Sequence, residues 1–243
     1  DTIPEAFDRW RPRYCPEAFA DIIASAHLSP EASALEIGPG TGQATEPILK
    51  TGCRYLGVEL GAHLAALMRE KFRDYGNFHL VNGDFVTHDF SSERFDLILS
   101  AATIQWIDED IAFLRSFHLL KSGGVLAMMR TLTDYRSANE ALYGEIQAVY
   151  DRFFHPETPY DRKFNYASAS NYGFVRCERR EYPACRTLTA DEYVQYIHTH
   201  CDHLTLKSPD RERFFQGIRG AILNAGGQIT LSDRIVLDLA FKP

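Results

Sequence analysis

Three glycines at alternate positions, Gly38, Gly40 and Gly42, stand between two acids, Glu36 just before them and Glu59 further along the chain. Glycine adopts positive φ without steric cost and lets a ligand approach the backbone closely. A carboxylate ending the next strand, roughly twenty residues on, can accept from both hydroxyls of a ribose. The spacing is Gly38-x-Gly40-x-Gly42, with Gln43 where a dinucleotide site places its third glycine. No Gly-Lys-Ser/Thr follows, which excludes a phosphate-cradling P-loop. The pattern suits a nucleoside laid flat on the backbone, with no pyrophosphate to hold.

Two further segments carry chemistry of the same kind. Asn82-Gly83-Asp84-Phe85 is a polar turn in which Asp84 can accept from an exocyclic amine while the Phe85 N–H donates to a ring nitrogen. Ser100-Ala101-Ala102-Thr103-Ile104-Gln105-Trp106-Ile107 offers small residues for a ligand tail, followed by an aromatic wall. Each segment follows a strand-like run, and open α/β sheets bind ligands at the carboxyl ends of their strands.

The elements needed to position these groups are legible in the pattern. Strand candidates are Ala34–Ile37, Tyr55–Glu59, Phe78–Asn82, Phe95–Ser100 and Val125–Met129, with helical patterns at 43–50, 62–74 and 109–120 between them. Such alternation implies a parallel sheet with helices on both faces, joined by right-handed crossovers. Further on, 134–165 reads as helical and aromatic-rich, ending near His155-Pro156-Glu157-Thr158-Pro159. A long strand follows at Phe174–Thr187, then helices over 189–224 broken near Ser208-Pro209, and a last strand or hairpin at Gln228–Lys242. The fold class expected is α/β, a Rossmann-like, doubly wound, seven-stranded, mostly parallel sheet with helical cap insertions and one reversed strand near its end.

Taken together, Glu36-Ile37-Gly38-Pro39-Gly40-Thr41-Gly42, Glu59, Asn82-Gly83-Asp84-Phe85, Phe95–Ser100 and Leu119–Leu126 resemble the class I S-adenosylmethionine-dependent methyltransferases over roughly residues 34–130. Arg11-Pro12-x-Tyr14-x-Pro16 and Ala102-x-x-Gln105-Trp106-Ile107 are similar to the small-molecule branch that includes trans-aconitate-type enzymes. The resemblance implies S-adenosyl-L-methionine as cofactor and direct in-line transfer to an oxygen or nitrogen acceptor, a carboxylate among the possibilities. It assigns Glu36, Gly38, Gly40, Gly42, Gln43, Glu59, Leu60, Asp84, Phe85, Ser100 and Ala101 to the cofactor site. Arg11 and Tyr14 join them from an arm that reaches toward an anionic ligand. Gln105, Trp106 and Tyr135 are placed toward the substrate. One domain is expected over 1–243, with 1–33 as a lid, 34–130 as the cofactor-binding core, 131–225 as cap helices with the sixth strand, and 226–243 as the final strand.

Composition narrows the partners. The 243 residues carry a net charge of −7, which argues against a phosphate-tracking nucleic-acid face. No apolar run approaches the roughly 20 residues that span a bilayer. Five scattered cysteines without a CxxC pair fit unpaired thiols in a reducing cytoplasm. The expectation is a cytoplasmic monomer or homodimer, with a small-molecule methyl acceptor and no nucleic-acid or membrane partner. His198-Thr199-His200-Cys201-Asp202-His203 is dense in ligand-type residues. On a helix, 198 and 200 point about 200° apart and only 200 and 203 share a face, so no metal is expected there. The rival classes are a nicotinamide-dependent oxidoreductase, disfavoured by Gln43 and the Asn-Gly-Asp-Phe turn, and a non-catalytic module that binds the same nucleoside.

Overall fold

A computed structural model describes residues 2–157 and 163–243. Seven strands form one sheet in the order β3-β2-β1-β4-β5-β7-β6. They are β1 (Ser33–Ile37), β2 (Arg54–Glu59), β3 (Phe78–Asn82), β4 (Phe95–Ala101), β5 (Leu120–Asp134), β6 (Arg176–Thr189) and β7 (Gln228–Phe241). The first five run parallel, and β7 is antiparallel to both β5 and β6, so the reversed strand lies within the sheet. The centre of the order, where β1 lies between β2 and β4, is the switch point at which such sheets open a crevice.

Period-two side-chain alternation gives the sheet two apolar faces. Ala34, Tyr55, Leu97, Leu99 and Ala127 face one layer, formed by α2 (Pro16–Ser25), α3 (Thr45–Leu49) and α4 (Ala62–Lys71). Leu35, Val58, Ile98, Leu126 and Met128 face the other, formed chiefly by α5 (Glu109–Leu119). A third cluster joins α6 (Glu140–Phe153), α7 (Ala190–Ile197) and α8 (Asp210–Asn224) through Ile146, Tyr193, Phe214 and Ile218. It covers the extended ends of the last strands as a cap. At the other end of the chain, α1 (Pro4–Trp10) buries no residue. It is held by Lys71, whose Nζ donates to Asp8 Oδ1 and to the Thr41 carbonyl, each at 2.8 Å.

The elements differ from the expected spans in instructive places. Helix α3 covers only Thr45–Leu49 of the 43–50 pattern, because Gly42 is left-handed (φ +83°) and delays the helix. Strand β5 is far longer than Val125–Met129. A register shift opposite Phe95–Leu97 absorbs Lys121–Gly124, which had the look of a turn. Within 134–165, Asp134 ends β5 and the helix is confined to Glu140–Phe153. Thr158 and Pro159, part of the expected end of that segment, lie outside the described residues.

The helix assumed for 198–203 is also absent. A capping box between Thr189 and Glu192 starts α7, but the helix ends at Ile197, and turns through Asp202 lead into a short 3₁₀ helix at His203–Thr205. The angular argument against shared ligation by His198 and His200 therefore loses its premise.

Candidate functional site

A cavity of about 920 Å³ opens at the carboxyl ends of β1, β4 and β5. Its floor is the turn from Gly38 to Ala44, its side is Ala101–Thr103, and Arg130–Thr133 of β5 close the far wall. Residues 163–166 and 200–202 approach from the cap, and Phe7, Arg11, Pro12 and Tyr14 from the arm.

The three turn glycines have different tasks. All three have positive φ. A Cβ on Gly42 would lie 2.4 Å from Phe72 Cε2, and one on Gly38 would lie 2.4 Å from Thr103 Cγ2, so both serve packing. A Cβ on Gly40 would meet only Phe7 Cε1, at 3.8 Å. Gly40 is where bare backbone faces the cavity.

Glu59 connects this turn to β2. One carboxylate oxygen accepts from the Gly40 N–H at 2.8 Å and the other from the Gly61 N–H at 2.8 Å. An ionised carboxylate offers about four acceptor positions, so two remain after these bonds. Asn82 joins the neighbouring loops by donating to the carbonyls of Glu59 (2.9 Å) and Leu60 (3.1 Å). Leu60 itself is exposed. Asp84 is exposed too, and its Oδ1 accepts from the Val86 N–H at 2.8 Å. Phe85 is buried, and its carbonyl accepts from Arg115 Nε at 2.6 Å.

Glu36 lies one strand layer below the turn and is buried. Thr45 Oγ1 donates to its Oε2 at 2.8 Å and the Tyr55 hydroxyl at 2.7 Å. Burial pushes its carboxyl up to about 7; these two hydrogen bonds oppose the rise, and the charge of Glu59 adds to it.

Not every expected residue meets the cavity. Gly38, Gly40, Gln43, Ala101, Gln105, Trp106, Arg11 and Tyr14 line it. Gly42, Leu60, Glu36, Glu59, Asp84, Phe85 and Ser100 lie outside the lining, as support or as neighbouring loop. Ser100 is buried on the α5 side, where its Oγ accepts from the Ile104 N–H at 2.9 Å. Tyr135 also lies outside the lining; it packs on Tyr143 in the cap, with ring centroids 5.3 Å apart, and accepts from Gln147.

Several wall residues had no role assigned from the sequence: Arg130, Asn165, Tyr166, Tyr196 and His200. Arg130 ends the parallel run of β5, so the rule that strand carboxyl ends bind ligands could have found it. The loop around Asn165 and Tyr166 carries no comparable signal. The Arg130 guanidinium lies 3.8 Å from the Tyr166 ring centroid and pairs with Asp238. The Arg11 guanidinium lies 4.8 Å from the Phe7 ring centroid. No acid pairs with it among the described residues. Burial raises the Tyr14 hydroxyl above its ordinary value, against the pull of the Arg11 cation.

Among the described residues, His200, Asp202 and His203 place ligand-type atoms within 4.8 Å of one another. Both nitrogens of His203 are already engaged, Nδ1 with Asp202 Oδ1 at 2.7 Å and Nε2 with the Tyr150 hydroxyl at 2.9 Å. A metal would have to displace a formed hydrogen bond, so the cluster reads as a hydrogen-bonded chain.

The chain matches the family described as a methyltransferase domain over residues 35–128. Its fold is the Rossmann-like fold of the class I methyltransferases. The YcgJ protein of Bacillus subtilis superposes with a TM-score of 0.62 at 14% identity, covering 93% of this chain and 98% of that one. Phosphoethanolamine N-methyltransferase 2 of Haemonchus contortus, in complex with S-adenosyl-L-methionine, gives 0.58 at 16% identity, covering all of this chain and 57% of that one. Ribosomal RNA small subunit methyltransferase A of Pseudomonas fluorescens is 34% identical over 113 residues. That match spans 44% of this chain and only 40% of the relative's length.

Domains of this class use S-adenosylmethionine as methyl donor, and the site fits that molecule on its own terms. It has bare backbone at Gly40, a carboxylate with spare acceptor capacity beside it, and a volume in the upper range of small-molecule pockets.

Proposed function

We propose that the protein transfers the methyl group of S-adenosylmethionine to an oxygen or nitrogen of a small molecule, and that an anionic group is held at Arg11. The observation that supports this most is a guanidinium on the wall of a partly enclosed cavity, with no acid paired to it among the described residues. Bidentate pairing with a carboxylate matches guanidinium geometry. Gly40 and the Glu59 carboxylate would hold the nucleoside of the donor, whose sulfonium supplies an electrophilic methyl. The chain's own work is then to orient the acceptor and exclude water, which can account for most of a methyl transfer's acceleration. Gln105, Tyr14 and Tyr166 offer polar contacts for orientation, while Trp106 and Phe164 supply apolar wall.

The acidic net charge and the concave site favour a small acceptor over ribosomal RNA. The resemblance to the RNA enzymes lies in part of the chain and covers less than half of those proteins' length.

Incubation with methyl-labelled S-adenosylmethionine and separate pools of small carboxylates, amines, phenols and RNA tests this reading. Label in a small product supports it; label in RNA alone would overturn it. Glu59→Ala is expected to weaken S-adenosylmethionine binding by about 2 kcal/mol, roughly thirtyfold, for lost hydrogen bonds to a charged group. Calorimetric titration reads this directly. Arg11→Gln is expected to lower affinity for one anion about tenfold. If the donor's affinity falls, Arg11 holds the donor's carboxylate. If only acceptor kcat/KM falls, it holds the acceptor.

A further inference from the structure

His200 sits on the cavity wall, past the end of α7, in a turn that its own backbone helps to close. Its N–H donates to the Ile197 carbonyl at 3.0 Å, and its carbonyl accepts from the Leu204 N–H at 3.1 Å. The ring is wedged edge-on between aromatics, 4.8 Å from Tyr196 and 5.1 Å from His203 by centroid. No hydrogen-bond partner meets either ring nitrogen among the described residues. That contrasts with its neighbour His203, satisfied at both nitrogens, and with His198, whose Nε2 is 2.7 Å from Arg211. A fixed ring on the wall of a ligand cavity with an open lone pair is arranged to meet a ligand's donor.

We propose that His200 is the proton acceptor for the methyl acceptor, so that the attacked atom is a hydroxyl oxygen or an amine nitrogen and not a carboxylate. The proposal rests on reading the cavity as the methyl-transfer site. In the step, the acceptor's O–H or N–H bond breaks and its proton goes to a His200 ring nitrogen. The freed electron pair forms the bond to the methyl carbon, and the carbon–sulfur pair departs with sulfur. A carboxylate acceptor would need no such group, because it arrives ionised.

The electrostatics around the ring supply the rest. Burial, then the Arg11 cation and His203, push His200 down to about 3; Asp202 opposes this and Arg186 adds to it. The ring is therefore neutral in the free protein and its lone pair is available. An anion on Arg11 cancels the largest opposing charge and raises the ring's basicity when the site is filled, whichever ligand supplies that anion. The base is weak until the ligand that needs it arrives.

The test is ring-resolved NMR titration of the histidines, on the protein alone, with S-adenosylhomocysteine, and with S-adenosylhomocysteine plus malate or succinate. These two dianions share a skeleton and differ by one hydroxyl. The free protein is expected to keep His200 neutral at pH 5, and a bound anion to raise its pKa by a unit or more. A rise with S-adenosylhomocysteine alone assigns the anion to the donor's carboxylate; a rise only with malate assigns it to the acceptor. Malate is expected to bind about tenfold more tightly than succinate, for one added hydrogen bond, and the preference is expected to vanish in His200→Ala. A His200 already protonated at pH 6 in the free protein, or equal affinity for malate and succinate in the wild type, would overturn the proposal and leave the cofactor site standing. Failure of S-adenosylhomocysteine to bind would instead remove the reading on which it rests.

Discussion

Gly38→Ala is expected to destabilise the protein by about 3 kcal/mol, combining the left-handed backbone penalty of ~1–2 kcal/mol with an overpacking cost of similar size. Gly38 has φ +59°, and its new Cβ would lie 2.4 Å from Thr103 Cγ2, 2.9 Å from Oγ1 and 3.1 Å from Cβ. Thr103 has little freedom to yield, because its hydroxyl donates to the Gly38 carbonyl at 3.0 Å. The same contact locks the glycine turn to the loop after β4, so both sides of the cavity floor move together. Thr103→Ala removes the two nearest atoms and leaves the third. The double variant is expected to recover about 1 kcal/mol relative to the sum of the single changes, the non-additivity of residues in contact. Urea denaturation of the four proteins measures this, and a cost below about 1 kcal/mol for Gly38→Ala would contradict the packing account.

Glu36→Gln is expected to alter the pH dependence of stability more than stability at any one pH. The folded carboxyl titrates at about 7 and its ordinary value is 4.5. A raised carboxyl pKa means that the folded state holds the proton longer than the unfolded chain does. The associated stability is fully present below pH 4.5 and is lost as the pH rises to about 7. Over that window the loss is about 3 kcal/mol for a fully buried group. Glutamine does not titrate, and its carbonyl can accept from Thr45 and Tyr55 as the acid does. The variant is therefore expected to gain about 3 kcal/mol on the wild type between pH 4 and pH 8. Parallel stability curves for the two proteins would show that Glu36 does not titrate as its surroundings imply.

The first half of the fold was legible because its strands are short apolar runs punctuated by glycine, and those bounds hold within a residue or two from β1 to β4. Legibility failed where tertiary pairing overrides local signals. Lys121–Gly124 has turn chemistry but is drawn into β5, and His198–His203 follows a helix yet leaves it.

The site shows the same division. Gly40 and Ala101, expected from their positions near strand ends, line the cavity, and Glu59 lies behind the turn with its carboxylate on the Gly40 N–H. Ser100 was grouped with Ala101, but one residue in a strand reverses the face. Ala101 meets the cavity while Ser100 turns to the α5 side. Arg130, Asn165 and His200 reach the cavity from segments far apart in sequence. Strand pairing brings Arg130 to the glycine turn, and the folded cap brings Asn165 and His200.

In the proposed function, this turn and the acid beside it bind S-adenosylmethionine. Isothermal titration of the wild type and Glu59→Ala with S-adenosylmethionine and with NAD tests it most directly. Saturable binding of S-adenosylmethionine is expected, weakened roughly thirtyfold by the substitution, with no binding of NAD. Binding of NAD without S-adenosylmethionine, or equal S-adenosylmethionine affinity in both proteins, would contradict it.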